Sequence, residues 1–117
     1  MSKVSYIVEF TINDGKLEEF KAKSAGFIEA VKANEPGTLG YQWFLAEDGK
    51  RCLVHEAFKD SEALMAHLEH VGPTLPELLA IAPITRVEVL GSASDAARAA
   101  LAQLGAVHCP LLGGFDR

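Results

Sequence analysis

Two hydrophobic periods alternate along this chain, and their order leaves few folds open. Val4, Tyr6, Val8, Phe10 and Ile12 recur at every second residue against Ser5, Glu9 and Thr11, the period of a half-buried strand. Asp14 is then placed to cap a helix whose apolar positions, Leu17, Phe20, Ser24, Phe27, Ile28 and Val31, recur at three and four residues. Glu35-Pro36-Gly37 ends it, because proline cannot continue a helix and disfavours helical geometry in the residue before it. Thr38 to Leu45 and Arg51 to Phe58 read as strands two and three, joined through Glu47-Asp48-Gly49-Lys50, where Asp-Gly signals a hairpin.

Asp60 caps a second helix carrying Leu64, His67, Leu68 and Val71 on one face, and Gly72-Pro73 stops it. Thr74 and Glu77 have the spacing of a capping box ahead of Leu78, Leu79 and Ile81, which predicts a short third helix. Pro83 opens a fourth strand from Ile84 to Leu90. Ser94 begins an alanine-rich helix with Ala97, Ala100, Leu101 and Leu104 facing inward, closed by Gly105. The tail from Ala106 to Phe115 is expected to add a short edge strand or to lie across a partner subunit.

The order strand, helix, strand, strand, helix, strand, with right-handed crossovers, predicts an α+β ferredoxin-like fold: a four-stranded antiparallel sheet with helices on one face. A chain of 117 residues has interior enough for one such domain, residues 1–117, with a core at about 3–91 and a C-terminal helix and tail at about 92–117. The strands carry apolar residues on both faces: Leu39, Tyr41, Trp43 and Leu45 alternate with Phe44, and Leu53 and Ala57 oppose Cys52, Val54 and Phe58. Helices cover only one face, so the other is expected to pack against a second copy, making a homodimer.

A formal charge of −5, with the basic residues spread singly, argues against a nucleic-acid partner. No apolar run approaches the ~20 residues that cross a bilayer. The N-terminus MSKVSYIVEF lacks the basic-then-apolar layout of a signal peptide, so the expectation is a cytoplasmic protein with no membrane partner. Cys52 and Cys109 lie far apart, with no CxxC spacing, and read as reduced, inert thiols.

The run EPGTLGYQWF, Glu35 to Phe44, followed by HEAFKDSEALMAHLEH, His55 to His70, resembles the antibiotic biosynthesis monooxygenase family of the dimeric α+β barrel superfamily. The resemblance implies a dimeric α+β barrel, and relatives that include cofactor-free monooxygenases of quinols and polycyclic aromatics, haem-degrading enzymes and members without known activity. His67 matches the histidine that many members carry in the second helix. Strand one offers no asparagine in Ser5-Tyr6-Ile7-Val8-Glu9, so the haem-degrading triad is absent and that activity is not expected.

His67 falls on the helix face that points to the sheet. A neutral imidazole there is able to take a proton from a phenolic or quinol substrate, leaving an anion that reacts with oxygen, or else to serve structurally, bonded to a strand carbonyl or to Glu56. Trp43 and Tyr41 share a face of strand two, and Tyr6 sits on strand one, so the three form either a stacking wall for an aromatic substrate or core or dimer-interface aromatics. His55 and Glu56 occupy opposite faces of strand three, and either is a candidate for substrate contact or for pairing with Arg86 or Glu88. His67, Glu69 and His70 invite a metal, yet no further ligands are spaced to complete a site, and His70 is expected to meet solvent at the helix end. No GxGxxG or P-loop appears, so no nucleotide or flavin cofactor is expected. The reading is a cofactor-independent monooxygenase for a small aromatic or quinol substrate, with His67 as base. The alternatives are a non-catalytic dimer that binds a small hydrophobic ligand, and a cyclase or isomerase using the same pocket.

Overall fold

A computed structural model describes residues 3–117. Nine elements follow one another: β1 (Val4–Thr11), α1 (Leu17–Asn34), β2 (Thr38–Leu45), β3 (Arg51–Phe58), α2 (Ser61–Val71), α3 (Leu75–Leu79), β4 (Ile84–Leu90), α4 (Asp95–Ala102) and β5 (Val107–Cys109). The strands lie in the order β2-β3-β1-β4-β5. The first four pair antiparallel, while β5 runs parallel to β4.

The α+β class stands, but the sheet corrects two parts of the expectation. It has five strands of mixed direction rather than four antiparallel ones, because the tail after α4 returns along β4 as a short edge strand, one of the two readings of that segment. It is also open, not closed into an α+β barrel. A barrel needs its two edge strands to hydrogen-bond to each other, and here β2 and β5 stand at opposite edges.

Local chemistry explains most of the element ends. Asp60 Oδ1 accepts from the Ala63 amide at 2.8 Å, and Ser94 Oγ from the Ala97 amide at 3.2 Å, the N-caps of α2 and α4. Gly49 takes φ +72° in the hairpin between β2 and β3, a conformation that suits glycine. Two expected caps do not form. Helix α1 starts from Lys16, without a side-chain cap, so Asp14 lies ahead of its first turn. Thr74 does precede α3, but its hydroxyl donates back to the Val71 carbonyl instead of capping forward.

The core lies on the face of the sheet that carries Val4, Tyr6, Val8 and Phe10, and it includes Phe20 of α1, Leu64 of α2, Leu78 of α3 and Leu101 of α4. Of the α1 stripe, Phe20 and Val31 are buried, Phe27 is partly so, and Ile28 is exposed. The opposite face of the sheet is mixed. Ile7 and Leu53 are half-buried and Phe44 is exposed, among the charged or polar Glu9, Arg51, His55 and Arg86. Among the described residues, no helix is long and apolar enough to cross a membrane.

Candidate functional site

Register places three of the singled-out residues in one row of the sheet. Tyr41 on β2 and Tyr6 on β1 both lie opposite Glu56 of β3. Period two turns all three toward the helices and leaves His55 exposed on the other face. His55 therefore stands apart from this group, beside the tail residues Pro110 and Leu111. Strand β1 lies between β3 and β4, and among the described residues no ion pair joins His55 or Glu56 to β4, where Arg86 instead lies 3.8 Å from Glu88.

Helix α2 lowers His67 onto this row, its ring centroid 5.4 Å from Tyr41 and 5.3 Å from Phe58. The side chain is buried, and both ring nitrogens meet carboxylates: Nδ1 lies 2.7 Å from Glu35 Oε1, and Nε2 lies 2.8 Å from Glu56 Oε1. The sequence-based choice of partner, Glu56, is present. The second, Glu35, went unread, because a glutamate before Pro-Gly looks like a helix stop and its partners are 32 and 35 residues further on.

Glu35 is pinned from three sides. Its Oε1 accepts from the Thr38 hydroxyl at 2.8 Å as well as from His67, and its Oε2 accepts from Nδ1 of His70 at 2.5 Å. Burial pushes the Glu35 carboxyl up, but the His70 and Thr38 bonds and the His67 charge outweigh it and hold it below the ordinary value. His70, a third of its side chain exposed, thus bonds to Glu35 instead of standing free at the helix end.

Glu56 behaves in the opposite way. Burial favours its neutral form and is offset only in part by His67, so its carboxyl stays above the ordinary value. For His67, burial disfavours the cation, yet Glu56 and Glu35 together raise its affinity for a proton. Because an ionised carboxylate only accepts, His67 Nδ1 carries a hydrogen toward Glu35, and the next proton is shared between Nε2 and Glu56. The His67–Glu56 contact is close but not aligned as a hydrogen bond, which leaves Glu56 Oε1 buried without a directed donor.

A small cavity of about 40 Å³ lies against this group, lined by Tyr6, Tyr41, Trp43, Glu56 and His67 with apolar residues of the sheet and helices. Trp43 stacks on Phe10, ring centroids 5.8 Å apart, and its buried Nε1 has no acceptor. Burial keeps the hydroxyls of Tyr6 and Tyr41 firmly protonated, reinforced by the charge of Glu56. The cavity wall therefore offers two phenolic donors, an indole donor and a carboxyl-imidazole pair that exchanges a proton within one apolar space. Cys52 is remote from this chemistry, its buried thiol pushed up to about 11.

The fold recurs among known proteins. The family model described as antibiotic biosynthesis monooxygenase matches residues 4–75, which hold every residue of the buried proton-bearing group. MupZ from Pseudomonas fluorescens is 30% identical, with 100% of this chain and 96% of that chain covered and a TM-score of 0.90. A Caulobacter crescentus protein, provisionally described as an antibiotic biosynthesis monooxygenase, shares the fold at 21% identity and TM-score 0.71 over 80% of this chain and 92% of its own. A conserved protein from Methanosarcina mazei does so at 20% identity and TM-score 0.65, over 76% and 89%. No curated protein matches the chain. With its family model spanning more than half of the sequence, the chain belongs to the antibiotic biosynthesis monooxygenase family.

Proposed function

We propose that this chain is an enzyme that moves protons on a small hydrophobic substrate, with Glu56 as the group that meets the substrate and His67 holding the exchanged proton behind it. The observation that carries this reading is a histidine fixed between two buried carboxylates, one of which presents an undirected oxygen to an aromatic-walled cavity. Tyr6, Tyr41 and Trp43 orient the substrate. In the monooxygenase form of the proposal, an aromatic or quinol substrate loses a proton to the Glu56–His67 pair, and its anion reacts with oxygen without a cofactor. One oxygen atom stays on the substrate and the other leaves as water, the substrate supplying the electrons. Family membership supports this form.

A second form, a cyclase or isomerase, is favoured by the donors. Oxygenation needs chiefly a base, whereas Tyr6, Tyr41 and a carboxyl held toward its protonated state serve a reaction that also gives a proton back. The experiment is oxygen uptake and substrate consumption by wild type and Glu56→Gln across a panel of quinols, polycyclic phenols and their hydroxylated precursors. Uptake that falls tenfold or more in the variant supports the monooxygenase. Consumption without uptake, equally dependent on Glu56, supports the cyclase or isomerase, and consumption indifferent to Glu56 overturns the proposal.

We further propose that the enzyme acts in the cytoplasm as a homodimer. Two unpaired thiols support the compartment, and Phe44 with Ile7 and Leu53 on the mixed sheet face supports contact with a second copy. Light scattering is expected to give twice the 12.6 kDa chain mass, and a monomeric mass refutes the pairing.

A further inference from the structure

The cavity beside Glu56 is well below the ~300 Å³ at which small-molecule sites usually start, so it holds only one end of a larger substrate. A second space lies just outside it. Between α1 and the end of α2 with α3 runs a groove of about 280 Å³, lined by Lys23, Gly26, Phe27 and Ala30 on one side and by residues including Val71 and Thr74 on the other. Positions 23, 26, 27 and 30 form one helical face, so α1 presents that whole face to the groove. Phe27 and Val71 line both the groove and the inner cavity. At these two positions a single side chain separates the two spaces.

The partition is only partly packed on its α1 side. Helix α1 packs mainly on β2, and of its 18 residues only Phe20 and Val31 are buried. Phe27 is only partly buried and rests loosely on Trp43, ring centroids 6.3 Å apart. A change of its side-chain rotamer needs no backbone rearrangement. At the inner end, the buried Trp43 Nε1–H has no aligned acceptor, and Glu56 Oε1, 2.8 Å from His67 Nε2 but not aligned with it as a hydrogen bond, keeps a lone pair free to accept another donor. A hydroxyl is the small group that satisfies both, because it accepts and donates at once.

We infer that the groove and the inner cavity are two halves of one ligand site, which takes an elongated, mostly apolar molecule with a hydroxyl at its buried end and its body between α1 and α3. Phe27 and Val71 set the width of the passage, and the groove face of α1 sets the length of the body. The inference rests on the inner cavity being the reaction site proposed above, but its test reads binding alone.

Trp43 is the single tryptophan, so its fluorescence reports occupancy of the inner cavity. The probes are phenol, which fills only the inner end, and 4-hexylphenol, whose chain reaches the groove. Wild type is expected to bind 4-hexylphenol at least about tenfold more tightly than phenol, since each methylene leaving water adds affinity. Gly26→Leu fills the groove: a Cβ at Gly26 meets nothing within 4 Å, and removing a mid-helix glycine favours the helix. It is expected to abolish the advantage of the longer probe while leaving phenol affinity within about twofold. Ala30→Leu, one turn on, plugs the same face and should act alike. Equal affinities for the two phenols in wild type, an advantage that survives both plugs, or no change in Trp43 fluorescence would each overturn the inference. Loss of Glu56-dependent turnover leaves this result untouched, so the two proposals fail separately.

Discussion

His67→Phe should destabilise the protein by about 3–5 kcal/mol near neutral pH, the usual cost of removing one partner from a buried charge pair. Phenylalanine fills the ring's volume but leaves Glu35 and Glu56, both nearly inaccessible, with no cation between them. The penalty depends on pH in a defined direction. His67 binds its proton more tightly folded than unfolded, because the carboxylates outweigh burial, so its contribution is complete below the unfolded value of 6.5 and fades as pH rises through the higher folded one. Glu35, held below 4.5 against the opposing pull of burial, contributes above that value and is lost as pH falls through the lower one. From His67 and Glu35 together, wild-type stability is greatest between about pH 4.5 and 6.5, and Glu56, whose carboxyl is raised in the wild type too, draws the optimum toward the lower end of that range. In His67→Phe, burial holds Glu56 toward its neutral form with nothing to offset it, so ionising it costs stability as pH rises above 4.5. Thermal unfolding at a series of pH values should show the variant's deficit shrinking toward pH 4 and widening toward pH 7. A deficit of the same size at both ends would mean that shape, rather than charge, is what His67 contributes.

Phe58→Ala should cost a similar amount, about 3–5 kcal/mol, through a different mechanism. Phe58 closes β3, is fully buried, and pairs across the sheet with Val4 and Thr38. Its ring sits 5.3 Å from both Tyr6 and His67, so truncation opens a void directly behind the proton-bearing group. For a domain of this size, the loss corresponds to a fall in Tm of roughly 10–20 °C. Phe58→Leu, which keeps most of the volume, should cost less than about 1.5 kcal/mol. Urea unfolding of the two variants checks the pair, and an alanine penalty below about 1 kcal/mol would mean that the surrounding side chains collapse into the space.

The strands were legible because a period of two is a local signal, and β1 buries Val4, Tyr6, Val8 and Phe10 as its alternation requires. The caps at Asp60 and Ser94 were legible for the same reason, each acting on an amide three residues away. Sheet closure was not, because it depends on whether two distant edges meet, and no residue pattern within a strand encodes that. The site was half legible. Tyr6, Tyr41, Trp43 and Glu56 follow from parity once β1, β2 and β3 are neighbours, and His67 from the apolar stripe of α2. Glu35 was hidden in a loop, and the three-residue spacing of His67 and His70, which invited a metal, in fact lets two rings reach the two oxygens of one carboxylate. Ile28 misled in a simpler way: it fits the helical stripe of α1, yet more than a third of it stands exposed.

The two rims of the open sheet are not alike. At one, β5 contributes only three residues, Val107–Cys109, too short a row of amides to hold another chain. At the other, β2 runs for eight residues, TLGYQWFL, with no proline and no charged side chain, and Leu39, Phe44 and Leu45 stand exposed along it. Such a segment has the composition of strands that seed fibrils, and it lacks the lysines or prolines that usually blunt a free edge. Solubility at high concentration is therefore governed by one strand, and a lysine at the exposed Gln42 is the place to begin when the protein must be kept dispersed.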